Sequence, residues 1–108
     1  MVGQIYRVLF SHKAQRRRQQ INVFETQLGG ANKARKVQRE IDKTAKKLEK
    51  LPKATSIYQT DKDGTVYRYT KAYKYKVIFK IFEKAKDVFI VTVRHDREDP
   101  DVVDNDLR

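Results

Sequence analysis

Read for polarity alone, the chain opens with an alternating run. Tyr6, Val8 and Phe10 fall on one side of residues 5–10 and Arg7 on the other, the pattern of a half-buried strand. Ser11 follows as a helix N-cap, because its hydroxyl can accept one of the orphan N–H groups of a first turn. Ala14, Ile21, Phe24 and Leu28 then recur at helical spacing, and Gly29-Gly30 ends that helix. Asn32 caps a second helix, whose apolar stripe is Ala34, Val37, Ile41, Ala45, Leu48 and Leu51, closed by Pro52. A turn as short as Gly-Gly makes the two helices antiparallel neighbours.

Beyond residue 55 the period drops to two. Residues 56–60 predict one strand, Asp61-Lys62-Asp63-Gly64 a turn, and residues 65–71 the next strand. Tyr75, Val77, Phe79 and Ile81 alternate with Lys74, Lys76, Ile78 and Lys80, a strand with one buried and one basic face. Residues 83–87 turn the chain, and residues 88–94, the most apolar run, predict the central strand. The expectation is an α+β domain of order β-α-α-β-β-β, a two-helix antiparallel hairpin packed on a small antiparallel β-sheet. Residues 1–95 form that domain, and the acidic residues 96–108 are expected to be a frayed tail.

At 108 residues the chain suits one domain with a modest core. Charge changes the picture most: 25 Lys and Arg stand against 14 Asp and Glu, a net charge of +11. The excess is uneven, since residues 1–93 hold 22 basic and 8 acidic residues (+14), and residues 94–108 hold 3 and 6 (−3). So strong a positive field calls for a polyanionic partner such as nucleic acid, ribosome, acidic protein or anionic membrane. No cysteine is present, which excludes disulfides, thiolate zinc sites and thiol nucleophiles. With His12 and His95 the only imidazoles, neither a metal site nor a cofactor is expected. Residues 88–93 are too short an apolar run to span a bilayer, and Arg7 interrupts any secretory core, so a cytoplasmic protein is expected.

Two surfaces carry candidate chemistry. Helix residues Lys36, Arg39, Lys43, Lys46 and Lys50 share one flank, with Lys13, Arg16, Arg17 and Arg18 on the preceding helix. Such stripes are most often simply solvated. The sheet is more specific: Arg68, Lys71, Lys74, Lys76 and Lys80 interleave with Tyr67, Tyr69, Tyr73 and Tyr75, offering phosphate binding and rings for base stacking. Alternation must bury some of those tyrosines. His95, within Arg94-His95-Asp96-Arg97, is placed to act as a general acid beside arginines that stabilise a phosphorane, although surface histidines are commonly idle. The acidic tail lacks the glycine and ligand spacing of a calcium loop; it is expected to be solvated, or secondarily to screen the protein's own basic face.

Three stretches together resemble the RelE/ParE superfamily of type II toxin–antitoxin toxins. Tyr6-Arg7-Val8-Leu9-Phe10-Ser11-His12-Lys13-Ala14 looks like its opening strand and first helix. Lys74-Tyr75-Lys76-Val77-Ile78-Phe79-Lys80 resembles the Y-R-I-x-Y-R strand of the ParE branch, with Lys76 for arginine and Phe79 for tyrosine. Val93-Arg94-His95-Asp96-Arg97-Glu98-Asp99-Pro100 looks like the closing strand and its H-x-R-x-D-P pattern. The resemblance implies a toxin held inactive by a cognate antitoxin. It allows two mechanisms. ParE-type members inhibit DNA gyrase, and RelE-type members cut mRNA on the ribosome. In the second case Arg68, Arg94 and His95 are the catalytic candidates, with Arg68, Lys71 and Arg94 at basic positions and His95 as the acid. No tyrosine follows His95, unlike the RelE pattern, and the long hairpin and Asp-Pro ending favour ParE. Target or nucleic-acid binding is expected from Lys71, Tyr73, Lys74, Tyr75, Lys76, Lys80 and Arg97. A non-toxic RNA-binding module is the third reading.

Overall fold

Ser11 decides where the first strand becomes a helix. In the computed structural model, which describes residues 5–98 and 100–107, its Oγ accepts the Ala14 N–H at 2.9 Å and donates to the Val91 carbonyl at 2.7 Å. The cap therefore ends β1 (Arg7–Phe10), starts α1 (His12–Lys47) and fastens that junction to the sheet.

Helix α1 is two arms. Gly30 takes φ 87° and ψ 173°, outside helical space, and the chain reverses there. Arg18 Nε donates to Gln38 Oε1 at 2.9 Å, Gln38 Nε2 returns a bond to the Arg18 carbonyl at 3.0 Å, and Arg18 pairs with Asp42 at 2.8 Å. These contacts confirm the hairpin read from Gly29-Gly30. A Cβ on Gly30 would meet nothing within 4 Å, so any penalty there comes from the backbone alone. Gly30→Ala is accordingly expected to lose about 1–3 kcal/mol in urea denaturation; a loss under about 0.5 kcal/mol, the scale of an ordinary surface change, would mean that the turn tolerates a side chain.

After a 3₁₀ turn at Pro52–Ala54, four strands follow: β2 (Ser56–Thr60), β3 (Val66–Ala72), β4 (Tyr75–Phe82) and β5 (Asp87–His95). The sheet order is β1-β5-β4-β3-β2. Three pairings are antiparallel, as the meander predicts, but β1 lies parallel to β5, so the sheet is mixed. Parallel neighbours need a long crossover, and α1 with three strands supplies it; a reading of local turns cannot see that pairing.

One face of the sheet packs on α1. Ile21, Val37, Ile41, Ala45 and Leu48 bury against Tyr75, Val77, Phe79, Val88, Ile90 and Val93. The other face is covered in part by a second helix, α2 (Pro100–Leu107), which buries Val103 and Leu107 against Tyr67, Ile78 and Val91. Within the stretch expected to fray, residues 100–107 are therefore part of the fold, while residues 99 and 108 lie outside the described residues. The stretch's two apolar anchors, one turn apart, are too few to outweigh the acidic composition locally, and the surface they need belongs to the sheet. Among the described residues no helix is long and apolar enough to cross a membrane, and no group of three His, Asp or Glu is placed to hold a metal.

Candidate functional site

The pleat of the sheet sorts the candidate residues before any chemistry does. Directly paired residues on neighbouring strands share a face. Lys71 pairs with Lys76, and Lys76 with Arg94, so three cations form a row across β3, β4 and β5 on the α2 side. Ala72, Tyr75 and His95 form the matching row on the α1 side, as do Arg68 and Phe79. A β-bulge sets the phase: Ile78 pairs with Thr92 and Phe79 with Ile90, leaving Val91 as the extra residue. Without it Thr92 and Arg94 would face α1; with it they face α2.

Like charges in adjacent register repel, and the acidic C-terminal segment offsets them. Asp96 pairs with Lys71 at 2.8 Å and Lys76 at 3.6 Å. Glu98 pairs with Arg94 Nη1 at 2.9 Å. The Lys76 ammonium also sits over the rings of Tyr58 and Tyr69, and Lys80 over Tyr67, Phe82 and Phe89. Cations and aromatic rings therefore share this face, and the rings are Tyr58, Tyr67, Tyr69, Phe82 and Phe89.

Two of the four tyrosines expected in that patch lie elsewhere. Tyr75 is buried on the α1 side, where its hydroxyl donates to Glu25 Oε2 at 2.5 Å. Burial first, and then the Glu25 carboxylate, push the Tyr75 phenol well above its ordinary range. Tyr73 sits in the β3–β4 turn at φ 58°, with the ammonium groups of Lys33 and Lys74 over its ring. Glu25 escaped the sequence reading although it left a signal: an acid four residues after Ile21, on the helix's own apolar stripe. Its Oε1 makes no hydrogen bond and faces the Lys33 ammonium at 3.5 Å. Phe24 and Leu28, which share the helical spacing of Ile21, are exposed.

Nor are the three catalytic candidates together. Arg68 donates to the Thr55 carbonyl at 2.8 Å, tying β3 to the segment before β2. His95 packs edge-on against Tyr75, ring centres 5.5 Å apart, and its Nδ1 accepts the Arg97 N–H at 3.1 Å. Arg94 leaves β5 on the opposite face from His95, yet both side chains line one cavity. Arg97 and Lys74 are exposed in turns.

Arg94 belongs to a cluster that the sequence reading missed. Asp106 of α2, its side chain 5% exposed, accepts from Arg94 Nε, from Arg17 Nη2 at 3.0 Å and Nε at 3.2 Å, and from Thr92 Oγ1 at 2.9 Å. Lys13 binds the Asp106 carbonyl at 3.0 Å and approaches its carboxylate at 4.0 Å. Burial alone would raise the Asp106 carboxyl. Hydrogen bonds from Arg94, Arg17 and Thr92 outweigh that and hold it far below the usual carboxylate range. Beside this cluster Arg17, Gln20, Phe24, Tyr75, Arg94 and His95 line an open cavity of about 230 Å³.

Residues 8–100 match the family model of the ParE toxin of type II toxin–antitoxin system, parDE. No curated protein matches the chain. Among solved structures, it superposes on a chain of the chromosomal ParDE toxin–antitoxin system from P. aeruginosa with TM-score 0.69 and 17% identity, covering 84% of this chain and 96% of that one. A chain of the RelBE2 toxin–antitoxin complex from Mycobacterium tuberculosis gives TM-score 0.66 and 15% identity over 85% and 92%. At these identities the structural likeness establishes the fold.

Proposed function

The chain belongs to the ParE toxin family of type II toxin–antitoxin systems, and from that membership we propose that it arrests bacterial growth by binding DNA gyrase, held inactive in the cytoplasm by a cognate antitoxin. One observation carries the choice of a binding protein over a nuclease. An acid, a base and a phosphate stabiliser must converge within hydrogen-bond reach of one bond. Here Arg68 stands opposite Phe79 and His95 opposite Tyr75, four residues or about 13 Å apart along β4. Arg94 borders the same cavity as His95, but Asp106 and Glu98 occupy its guanidinium. Candidate contacts to the target come from the Lys71–Lys76 row, Lys80 and the rings beneath them, and from Lys74, Tyr73 and Arg97 in the adjoining turns.

The test is pulse-labelling of DNA and protein synthesis after induction without antitoxin, paired with gyrase supercoiling by the purified chain. DNA synthesis is expected to stop first, supercoiling to be inhibited, and His95→Ala to arrest growth as the unaltered chain does. An early halt in amino-acid incorporation, relieved by a folded His95→Ala, would replace this reading with the ribosome-dependent endonuclease. That alternative is favoured by the row of cations over aromatic rings, a surface suited to single-stranded RNA.

A further inference from the structure

We propose that Arg17, Thr92 and Arg94 form a binding site for a phosphate group, and that Asp106 fills this site in cis, making α2 a removable plug. The inference does not depend on which macromolecule the toxin attacks.

The donors are those a tetrahedral oxyanion needs. Two guanidinium groups from different elements and one hydroxyl converge on a single carboxylate, and Arg17 engages it through two nitrogens. They stand on rigid supports, Arg17 on the first arm of α1 and the other two on β5. The bulge at Val91 is the device that brings Thr92 and Arg94 to this side.

The charge balance points past a carboxylate. Arg17, Arg94 and Lys13 face Asp106 and Glu98, which leaves one positive charge over. With Asp106 withdrawn, the three cations face Glu98 alone, a match for a dianionic phosphate group. Arg17 and Arg94, together with the Glu98 carboxylate already counted, also line the adjoining cavity, which gives room for whatever carries the phosphate.

The plug is small. Helix α2 has eight residues and buries Val103, Asp106 and Leu107. Beyond the Asp106 side chain, its tethers include the Lys13 bond to the Asp106 carbonyl, a 3.2 Å bond from the Tyr67 hydroxyl to the Leu107 carbonyl and a 3.2 Å bond from Gln59 Nε2 to Asp104 Oδ1. A tethered occupant competes at high effective concentration, so removing its charge should raise apparent affinity for an outside anion by a large factor.

The experiment titrates the full chain with inorganic phosphate at low salt by calorimetry. Asp106→Asn keeps the shape of the side chain and removes its charge; it is expected to bind phosphate at least about tenfold more tightly than the unaltered chain. Adding Arg94→Gln should abolish the gain. In Asp106→Asn itself, the Nε–H resonances of Arg17 and Arg94 should shift on phosphate addition, a readout that needs no second variant to fold. A short single-stranded RNA separates the sources. If RNA gains affinity too and phosphate competes with it, the site takes backbone phosphate; if phosphate alone gains, it takes the free ion. No gain for phosphate in a folded Asp106→Asn, or a gain that survives Arg94→Gln, overturns the proposal.

Discussion

Phe79→Ala is expected to lower the unfolding free energy by about 3–5 kcal/mol, while Phe82→Ala, on the same strand, costs less than about 1 kcal/mol. Phe79 is fully buried beneath α1, at the centre of the cluster formed by Ile41, Leu48, Val77, Val88 and Ile90. Truncation there loses the transfer of a large ring and leaves a cavity between the helical hairpin and the sheet, which rigid strands cannot collapse. Phe82 is 47% exposed on the other face, its ring beneath the Lys80 ammonium. Urea denaturation of both variants measures the difference. Equal losses would mean that the assignment of β4's faces is wrong.

The second large effect is a loss of stability in acid that Asp106 controls. Its carboxyl is depressed in the folded chain, whereas an unfolded aspartate titrates near pH 3.9. A depressed folded value means that the ionised form stabilises the fold at every pH above the unfolded value. The contribution then drains away as pH falls below about 4 toward the folded value. Removing one partner of such a buried cluster costs on the order of 3 kcal/mol. The gap in stability between the unaltered chain and Asp106→Asn should therefore be full above about pH 5 and shrink steadily as pH falls below about 4. Glu83 titrates in the same window: Lys53 first, then the Tyr6 hydroxyl and Lys86, hold it at about 2. It is present in both proteins and cancels in the comparison. A gap that stays constant down to about pH 2 would show that the shape of Asp106, and not its charge, is what matters.

Much of the backbone was legible because its signals are local. Ser11 caps because its hydroxyl reaches the Ala14 N–H three residues on, and Gly30 reverses the chain through its own φ and ψ. Val77, Phe79, Val88 and Ile90 declare their burial by period and hydrophobicity. The site was less legible, for reasons that can be named residue by residue. Tyr75 and Tyr69 look alike in an alternating strand, yet one turns to α1 and the other to the cationic face. Phe24 and Leu28 fit the helical stripe, but the sheet beneath that end of the arm takes Ile21 and Glu25 instead.

By itself, then, the sequence determined the α+β class, the helical hairpin with its glycine break, the alternating strands and the strongly basic character that goes with a polyanionic partner. Each follows from forces acting within a few residues or from a sum over composition. Tertiary structure alone decided the parallel pairing of β1 with β5, the bulge that parts Thr92 and Arg94 from the α1 side, and the docking of an acidic segment as α2. Those depend on groups far apart in the chain. Asp106 is buried because Arg17, 89 residues before it, and Arg94, 12 before it, arrive at one point in space; no local pattern records that meeting.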